Sequence, residues 1–389
     1  MMRGCVEIVV VAICFGIAVV DVQVQILGEQ QATGDGELAL PADVHPESRN
    51  RLAGRPADSR DTADGVAAIQ LRGTGNARWT SPLGRRLTEL AILITGREHD
   101  QPFEWSLHEL EAIAVGLDPA VIDVVRNRRP LTGLGEQEAV IIQLGRELFV
   151  KHELSSETYA RAVTLLGESN LVDLVGLMAR YSGIAVRLTA FNQHMPPDWL
   201  QLLPLPFPQP DDISENSRSR LPLLRSVTQQ PQGGRDLYSR TLSPEGTGPG
   251  HLARHGAGLE SLEVSVGKPL IELAALLTAR ALDSQYAWTL SEIAAREDGL
   301  DPAVIDVVRH HWPPTELSEQ ETVLIRFARE LFDDRNVSAA MYARTVNVFG
   351  ERDLVDLVMV MGQQAGDIAL LTAFDQHLPS DLQPTLPLP

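Results

Sequence analysis

The sequence is almost free of cysteine. Its 389 residues include two cysteines, Cys5 and Cys14, and both lie in an apolar stretch at the N-terminus. The rest of the chain has no thiol, which excludes a disulfide framework, a cysteine-ligated zinc site and a thiol nucleophile there.

Basic residues are few relative to acidic ones. Lysine and arginine total 33 against 52 aspartates and glutamates, giving a formal net charge of −19. Such a field repels phosphate backbones, so nucleic acid is excluded as an expected partner. No stretch shows strand alternation bounded by turn residues, which leaves an all-helical chain.

The N-terminal segment also lacks an apolar run of the usual length for a membrane span. Arg3 precedes a run of thirteen apolar or small residues, Ile8 to Val20. This run is short for a membrane span and typical of the apolar part of a signal sequence. We therefore expect an exported protein, periplasmic or extracellular, whose residues 1–27 are a cleaved signal peptide or a membrane anchor. A wrongly assigned start is the remaining alternative.

An internal repeat organises the remainder. The sequence GLDPAVIDVVR occupies residues 116–126 and recurs 183 residues later, and residues 82–197 align without a gap on residues 265–380. We predict two tandem helical bundles of about six helices each. The predicted divisions are an irregular lead-in (28–81), repeat 1 (82–197), a disordered linker (198–258), repeat 2 (259–380) and a tail (381–389).

Helix boundaries follow from periodicity and capping residues. Apolar residues at helical spacing begin near Leu83, and helices are predicted at about 103–115, 136–151, 156–167 and 171–191. In GLDP the glycine ends one helix, and the aspartate and proline begin the next. The predicted N-caps are Ser155, Asn170, Ser318 and Asp353, and Ser318 begins a capping box with Glu321.

The linker is rich in proline, glutamine, serine and glycine, as in LPLPFPQP and QQPQGG. Such composition buries too little apolar surface to fold alone. A duplicated subunit usually recreates a homodimer interface within one chain, so we expect the two repeats to pack together. Further homo-oligomerisation is also expected.

The motifs resemble a known family. The order L-T-E-L-A-I-L, R-E-H-D-Q-P-F-E-W-S-L-H and G-L-D-P is similar to carboxymuconolactone decarboxylases, which are related to the alkylhydroperoxidase-D-like proteins. The resemblance covers both repeats and excludes the N-terminal segment and the linker. It implies an all-α fold, no cofactor and a lyase that acts on a small lactone-like molecule.

The resemblance also separates two branches. The hydroperoxidase branch carries two cysteines, whose positions are Gln101 and Glu104 here, beside a histidine and a glutamate that match His108 and Glu89. Without a thiolate, peroxide reduction is disfavoured. The decarboxylase branch has the form E-W-x-x-H, which Glu104, Trp105 and His108 present.

The predicted catalytic residues are His108, Glu104 and Glu89. Glu104 and His108 are four residues apart, so a helix places them on one face, where the carboxylate would orient the imidazole as a proton donor. Glu89, on the preceding helix, would orient His108 or hold a water. The alternatives are a surface salt bridge for Glu104 and His108, and a structural role for Glu89, since repeat 2 keeps it as Glu272.

The predicted substrate-binding residues are Arg97, Trp105 and His99. Arg97 would pair with a substrate carboxylate, and Trp105 would form a pocket wall. Both recur in repeat 2, as Arg280 and Trp288, so a structural salt bridge and a core position are the alternatives. The histidine and glutamate spacing does not match a zinc motif, and we predict no metal.

Repeat 2 lacks most of this chemistry. His108, Glu104 and His99 correspond to Ser291, Ala287 and Leu282. We therefore expect repeat 2 to be chemically silent and the chain to be a cofactor-free acid–base enzyme acting on a small molecule. An exported helical scaffold or binding protein without chemistry is the alternative.

Overall fold

The computed structural model describes residues 40–52, 76–196, 199–224 and 249–387, and in these ranges it is helical without a strand. This confirms the predicted all-α fold class. The predicted N-terminal signal lies outside the described residues.

The first half contains α1 (Ala77–Thr80), α2 (Gly84–Glu98), α3 (Pro102–Ala114), α4 (Pro119–Arg126), α5 (Glu136–Arg146) with a π-helical turn (Glu147–Lys151), α6 (Ser156–Leu166) and α7 (Glu168–Ala190). The second half contains α8 (Pro249–Ala253), α9 (Leu259–Val266), α10 (Lys268–Ala281), α11 (Gln285–Glu297), α12 (Pro302–Arg309), α13 (Glu319–Phe332), α14 (Ala339–Phe349) and α15 (Glu351–Ala373).

The two GLDP segments form the same turn. Gly116 and Gly299 have φ angles of +82° and +88°, in the left-handed region where glycine carries no steric penalty. Asp118 and Asp301 each accept a 2.8 Å hydrogen bond from the backbone N–H two residues later. The predicted role of GLDP as a helix stop and start is therefore confirmed.

The predicted N-caps at Ser155 and Ser318 are confirmed, but Asn170 and Asp353 do not cap helices. The long helices α7 and α15 each begin two residues earlier than those positions, directly after a glycine. Gly167 has φ +83°, which lets the chain bend by 113° between α6 and α7 without a loop. Asn170 instead donates to the Leu166 carbonyl at 2.8 Å.

Helices α7 and α15 cross at the centre of the protein. Their backbones approach so closely that a Cβ atom added at Gly183 would lie 2.5 Å from the Gly362 carbonyl oxygen, and one at Gly366 would lie 2.9 Å from the Ala179 carbonyl oxygen. Helix α15 is long and apolar enough to cross a membrane by length and composition, but 89% of its apolar window is buried in the protein. Helix α15 is therefore a core helix of the protein.

Two short irregular segments are packed against the core, one before α1 and the other between α7 and α8. Arginine segment 1 (residues 43–52) and arginine segment 2 (residues 212–221) share the pattern D-x-x-x-x-S-R-x-R-L. Arg51 and Arg220, the last arginine of each, are both buried. Sequence reasoning assigned these residues to an irregular lead-in and a disordered linker. The assignment of disorder does not hold for segment 2, because its arginine and its leucine, Leu221, are inserted into the core.

The two arginine segments make equivalent contacts, with the roles of the first and second halves of the chain exchanged. The Arg51 N–H donates to the Phe374 carbonyl at the end of α15, and the Arg51 guanidinium lies over Tyr159 in the first half. The Arg220 N–H donates to the Phe191 carbonyl after α7, and its guanidinium lies over Tyr342 in the second half. Each segment therefore connects the end of the long helix from one half to a tyrosine from the other.

Candidate functional site

Glu89 is the centre of a buried charged cluster. It lies in α2 and is fully buried. Its Oε2 accepts a hydrogen bond from His108 Nδ1 at 2.8 Å, and its Oε1 accepts from Arg78 Nε at 2.8 Å and Arg85 Nη2 at 2.6 Å. Both guanidinium groups lie over the Trp79 ring, so helix α1 helps to hold them in place.

The surroundings hold Glu89 ionised and His108 neutral. Burial alone would raise the pKa of Glu89, but the hydrogen bond from His108 and the positive charge of Arg78 lower it to about 2. Burial lowers the pKa of His108 by more than Glu89 raises it. Since an ionised carboxylate can only accept, His108 carries its proton on Nδ1, and its Nε2 is left as the acceptor.

The predicted pairing of Glu104 with His108 is wrong. The carboxylate that binds His108 is Glu89, and Glu104 has no hydrogen-bond partner on either carboxyl oxygen among the described residues. Helix α3 does bury both side chains, at 2% and 3% exposure, so a solvent-exposed salt bridge is also excluded. Helical spacing correctly gave the shared face but not the partner, which lies on α2.

Burial favours the protonated form of Glu104. Loss of hydration raises the pKa of this carboxyl well above its usual value, and the charges of Arg187 and Arg78 lower it by less. Glu104 lies against Gly96 of α2, where a side chain would contact it. The site therefore combines a neutral carboxylic acid and a neutral imidazole on one helix face.

Sequence reasoning missed three contributors to this cluster. Tyr181 of α7 packs edge-on against the His108 ring at 4.9 Å between centroids, and Arg78 and Arg85 bind Glu89. One of the three, Tyr181, differs in kind between the repeats, because it corresponds to Gln364. The same comparison between copies that singled out His108 would have found Tyr181.

Arg97 does not lie with the catalytic candidates. Its Nε donates to the Arg126 carbonyl at 2.7 Å, and its guanidinium pairs with Asp100. Arg280 makes the same two contacts in the second half, to the Arg309 carbonyl and Asp283. These equivalent contacts tie the end of one helix to the end of another and favour the structural alternative for Arg97.

Trp105 is a core residue. Its side chain is fully buried, and its indole N–H donates to Glu109 Oε2 at 2.6 Å. Trp288 is equally buried and donates to Glu292 at 3.1 Å. A role kept in both halves, with the polar edge of the ring satisfied, favours the core over the pocket-wall alternative.

His99 belongs to a different site. Its Nδ1 donates to the Thr95 carbonyl at 2.9 Å, and its Nε2 is 2.9 Å from the Ser182 hydroxyl. It lines a cavity with residues from both halves, which does not include His108, Glu104 or Glu89. Burial lowers the pKa of His99 to about 4, so the imidazole is neutral.

The corresponding positions in repeat 2 have lost the cluster. Glu272 takes the place of Glu89, but burial raises its pKa to about 7, with Asp298 adding to the shift. No hydrogen bond to Glu272 is present among the described residues, so it does not have the structural role that its retention suggested. Ser291 and Ala287 replace the histidine and the second carboxyl.

Among the residues that the structure describes, no group of three or more His, Cys, Asp and Glu side chains is placed to hold a metal ion. Comparisons of the chain with protein-family models, curated proteins and solved structures found no match. The family resemblance therefore rests on the motifs of the sequence alone.

Proposed function

We propose that this protein is a cofactor-free acid–base enzyme of the decarboxylase type, related to the carboxymuconolactone decarboxylases, with its site at the Glu89–His108 cluster. The observation that carries this proposal is the Glu104 carboxyl, buried and without a hydrogen-bond partner, four residues from a neutral histidine. Buried polar groups that lack hydrogen-bond partners and have shifted pKa values reduce stability. Proteins therefore retain them mainly at functional sites.

The two groups have opposite tasks in this proposal. Environments that push the pKa values of neighbouring groups apart create an acid and a base. His108, with its Nε2 lone pair available, is the base, and Glu104 is the acid. This assignment revises the sequence-based expectation that His108 donates the proton. Glu89 is a positioning residue, because it fixes the tautomer and orientation of the imidazole.

The proposed substrate is a small carboxylated, lactone-like molecule. Breaking the bond to its carboxylate releases CO₂ and leaves the electron pair in the conjugated carbonyl system. The Glu104 carboxyl delivers its proton to the far carbon, which completes the double-bond shift. His108 Nε2 then takes up a proton from solvent and returns it to the Glu104 carboxylate for the next turnover. A proton transfer of this kind contributes about 10²–10⁴-fold to the rate.

The test compares three chains on a panel of small carboxylated lactones, with CO₂ release as the readout. His108→Ala is expected to lower kcat by at least about 100-fold. Ser291→Ala, the equivalent change in repeat 2, is expected to leave kcat unchanged. Turnover that is equal in wild type and His108→Ala would disprove the acid–base role.

The competing function is a binding protein without chemistry. It predicts that wild type and His108→Ala both bind a lactone carboxylate and that neither releases CO₂. Binding measured by calorimetry on the same panel separates the two functions. Absence of wild-type turnover on every substrate that binds would favour the binding protein.

A further inference from the structure

A cavity of about 120 Å³ lies between the two halves and is built symmetrically from them. Every lining residue has a counterpart in the lining, 183 positions away, in the other repeat. Three pairs are chemically identical, two leucines, two phenylalanines and two threonines, and include Phe149 with Phe332. The cavity therefore lies on the axis that relates the repeats.

The two repeats differ at six of the nine paired cavity positions, and at three of these six a polar residue is paired with an apolar one. Glu98, His99 and Ser182 of repeat 1 face counterparts that are apolar in repeat 2. Those counterparts are Ala281, Leu282 and Ala365. These three positions form a polar wall in repeat 1, and their counterparts form an apolar wall in repeat 2. A small ligand with one polar end and one apolar end matches this division.

The polar wall has one unused hydrogen-bonding atom. Because His99 Nδ1 donates to the Thr95 carbonyl, its Nε2 accepts from the Ser182 hydroxyl. Glu98 is 1% exposed, and its Oε2 accepts from Arg128 at 2.7 Å. Its Oε1 is buried without a partner among the described residues. A ligand that donates a hydrogen bond would satisfy this oxygen.

Charge restricts the ligand further. Arg335 also lines the cavity, and it pairs with Asp100 of the other half at 2.7 Å. A ligand carboxylate has no proton to donate to Glu98 Oε1. A ligand cation gains no net attraction there, because Arg128 already neutralises Glu98. The polar end of the ligand is therefore a neutral donor.

We propose that this cavity binds a small, neutral, single-ring aromatic alcohol of the phenol class. The ring lies between the phenylalanines of the two halves, and its hydroxyl donates to Glu98 Oε1. The cavity, at about 120 Å³, is somewhat smaller than an engineered apolar cavity of about 150 Å³ that binds benzene, which restricts the ligand to a single ring. This site is separate from the Glu89–His108 cluster and independent of the proposed decarboxylase function.

The experiment titrates the full chain with phenol, benzene, benzoate and benzylamine and follows binding by calorimetry and by protein NMR. We expect saturable binding of one phenol per chain, with each of the other three probes at least tenfold weaker. Failure of phenol to bind, or tighter binding of benzoate, benzylamine or benzene than of phenol, overturns the proposal.

Two variants locate the site. Ala281→Leu fills the apolar wall and is expected to abolish phenol binding, whereas Ala340→Leu, at an exposed position of α14, is expected to leave it unchanged. Glu98→Gln keeps the size of the side chain but removes the charge, so phenol should bind about tenfold more weakly. Thermal unfolding of each variant verifies the fold. Wild-type affinity in folded Ala281→Leu disproves this location.

Discussion

At the scale of single residues, Glu104 is the group in the candidate site that lowers the free energy of unfolding most. Leaving a buried polar group without a partner costs about 1–3 kcal/mol, and Glu104 has two such oxygens. Natural proteins keep costs of this kind where function requires them. The proposed acid thus predicts opposite effects of one substitution on stability and on turnover.

We predict that Glu104→Leu raises the free energy of unfolding by about 1–3 kcal/mol and abolishes CO₂ release. The stability gain should grow with pH. The folded-state pKa of Glu104 is raised, so its contribution to wild-type stability is fully present below the usual value of 4.5 and is lost as pH rises through the folded-state pKa. The Glu104→Leu chain does not lose this stability as pH rises, because leucine has no ionisable group.

Urea unfolding of both chains at pH 5 and pH 8 measures this difference. Glu111→Leu serves as the control, because Glu111 accepts a 3.1 Å hydrogen bond from Arg85 and its loss should destabilise the protein. A Glu104→Leu chain that is less stable than wild type at both pH values would show that the carboxyl is satisfied in solution.

The sequence was sufficient to find His108 and Glu89 and to suggest that Glu89 orients His108, but it also placed the Glu104 carboxylate against the imidazole, where it does not lie. Helical spacing fixes which residues share a face of one helix, so it placed Glu104 beside His108. Hydrogen bonds between helices depend on how the helices cross, and Glu89 reaches His108 from α2. Tyr181, on α7, has no sequence relation to either, apart from its divergence between the repeats.

At the scale of secondary structure, the local sequence predicted the helices and most of their caps. Ser155 and Asp118 cap helices because a side-chain oxygen can reach an N–H two or three residues later, a purely local geometry. The start of α7 was misplaced because Gly167 replaces a loop by a single left-handed residue. The crossing of α7 and α15 could not be read from either helix alone.

That crossing gives a paired prediction for two glycines of α7. Gly183→Ala should destabilise the protein by about 1–3 kcal/mol, because the new Cβ would lie 2.5 Å from the Gly362 carbonyl oxygen on α15. Gly176→Ala, with nothing within 4 Å of its Cβ, should stabilise it by about 0.5–1 kcal/mol.

Chemical unfolding of the two variants and wild type provides the measurement. The substitution and the helix are the same, so helix propensity cancels and the contact with α15 remains. Similar stability changes in both variants would mean that α7 and α15 do not approach this closely in solution.

At the scale of the whole molecule, the arginine segments join the two halves. Their shared pattern D-x-x-x-x-S-R-x-R-L was visible in the sequence, but composition alone assigned one segment to a lead-in and the other to a linker. A polar segment without periodicity can still be ordered when buried charges and carbonyls pair. Each segment connects α15 or α7 of one half to a tyrosine of the other.

Arg220 carries the connection in segment 2. Its guanidinium pairs with Asp212 at 2.8 Å and donates to the Ala190 and Val337 carbonyls at 3.2 and 2.7 Å, while lying over the Tyr342 ring. The carbonyls come from opposite halves of the chain. Removing one member of a buried charge pair leaves the other uncompensated and typically costs about 3–5 kcal/mol.

We therefore predict that Arg220→Ala lowers the free energy of unfolding by about 3 kcal/mol. Arg51→Ala should act in the same direction, because Arg51 pairs with Asp43 at 2.8 Å and lies over Tyr159. Arg161→Ala, at an exposed position of α6, is the control and should change stability by less than about 0.5 kcal/mol. If Arg220→Ala unfolds at the same urea concentration as this control, segment 2 does not hold the two halves together, which leaves segment 1 and the crossing of α7 and α15 as the connections between them.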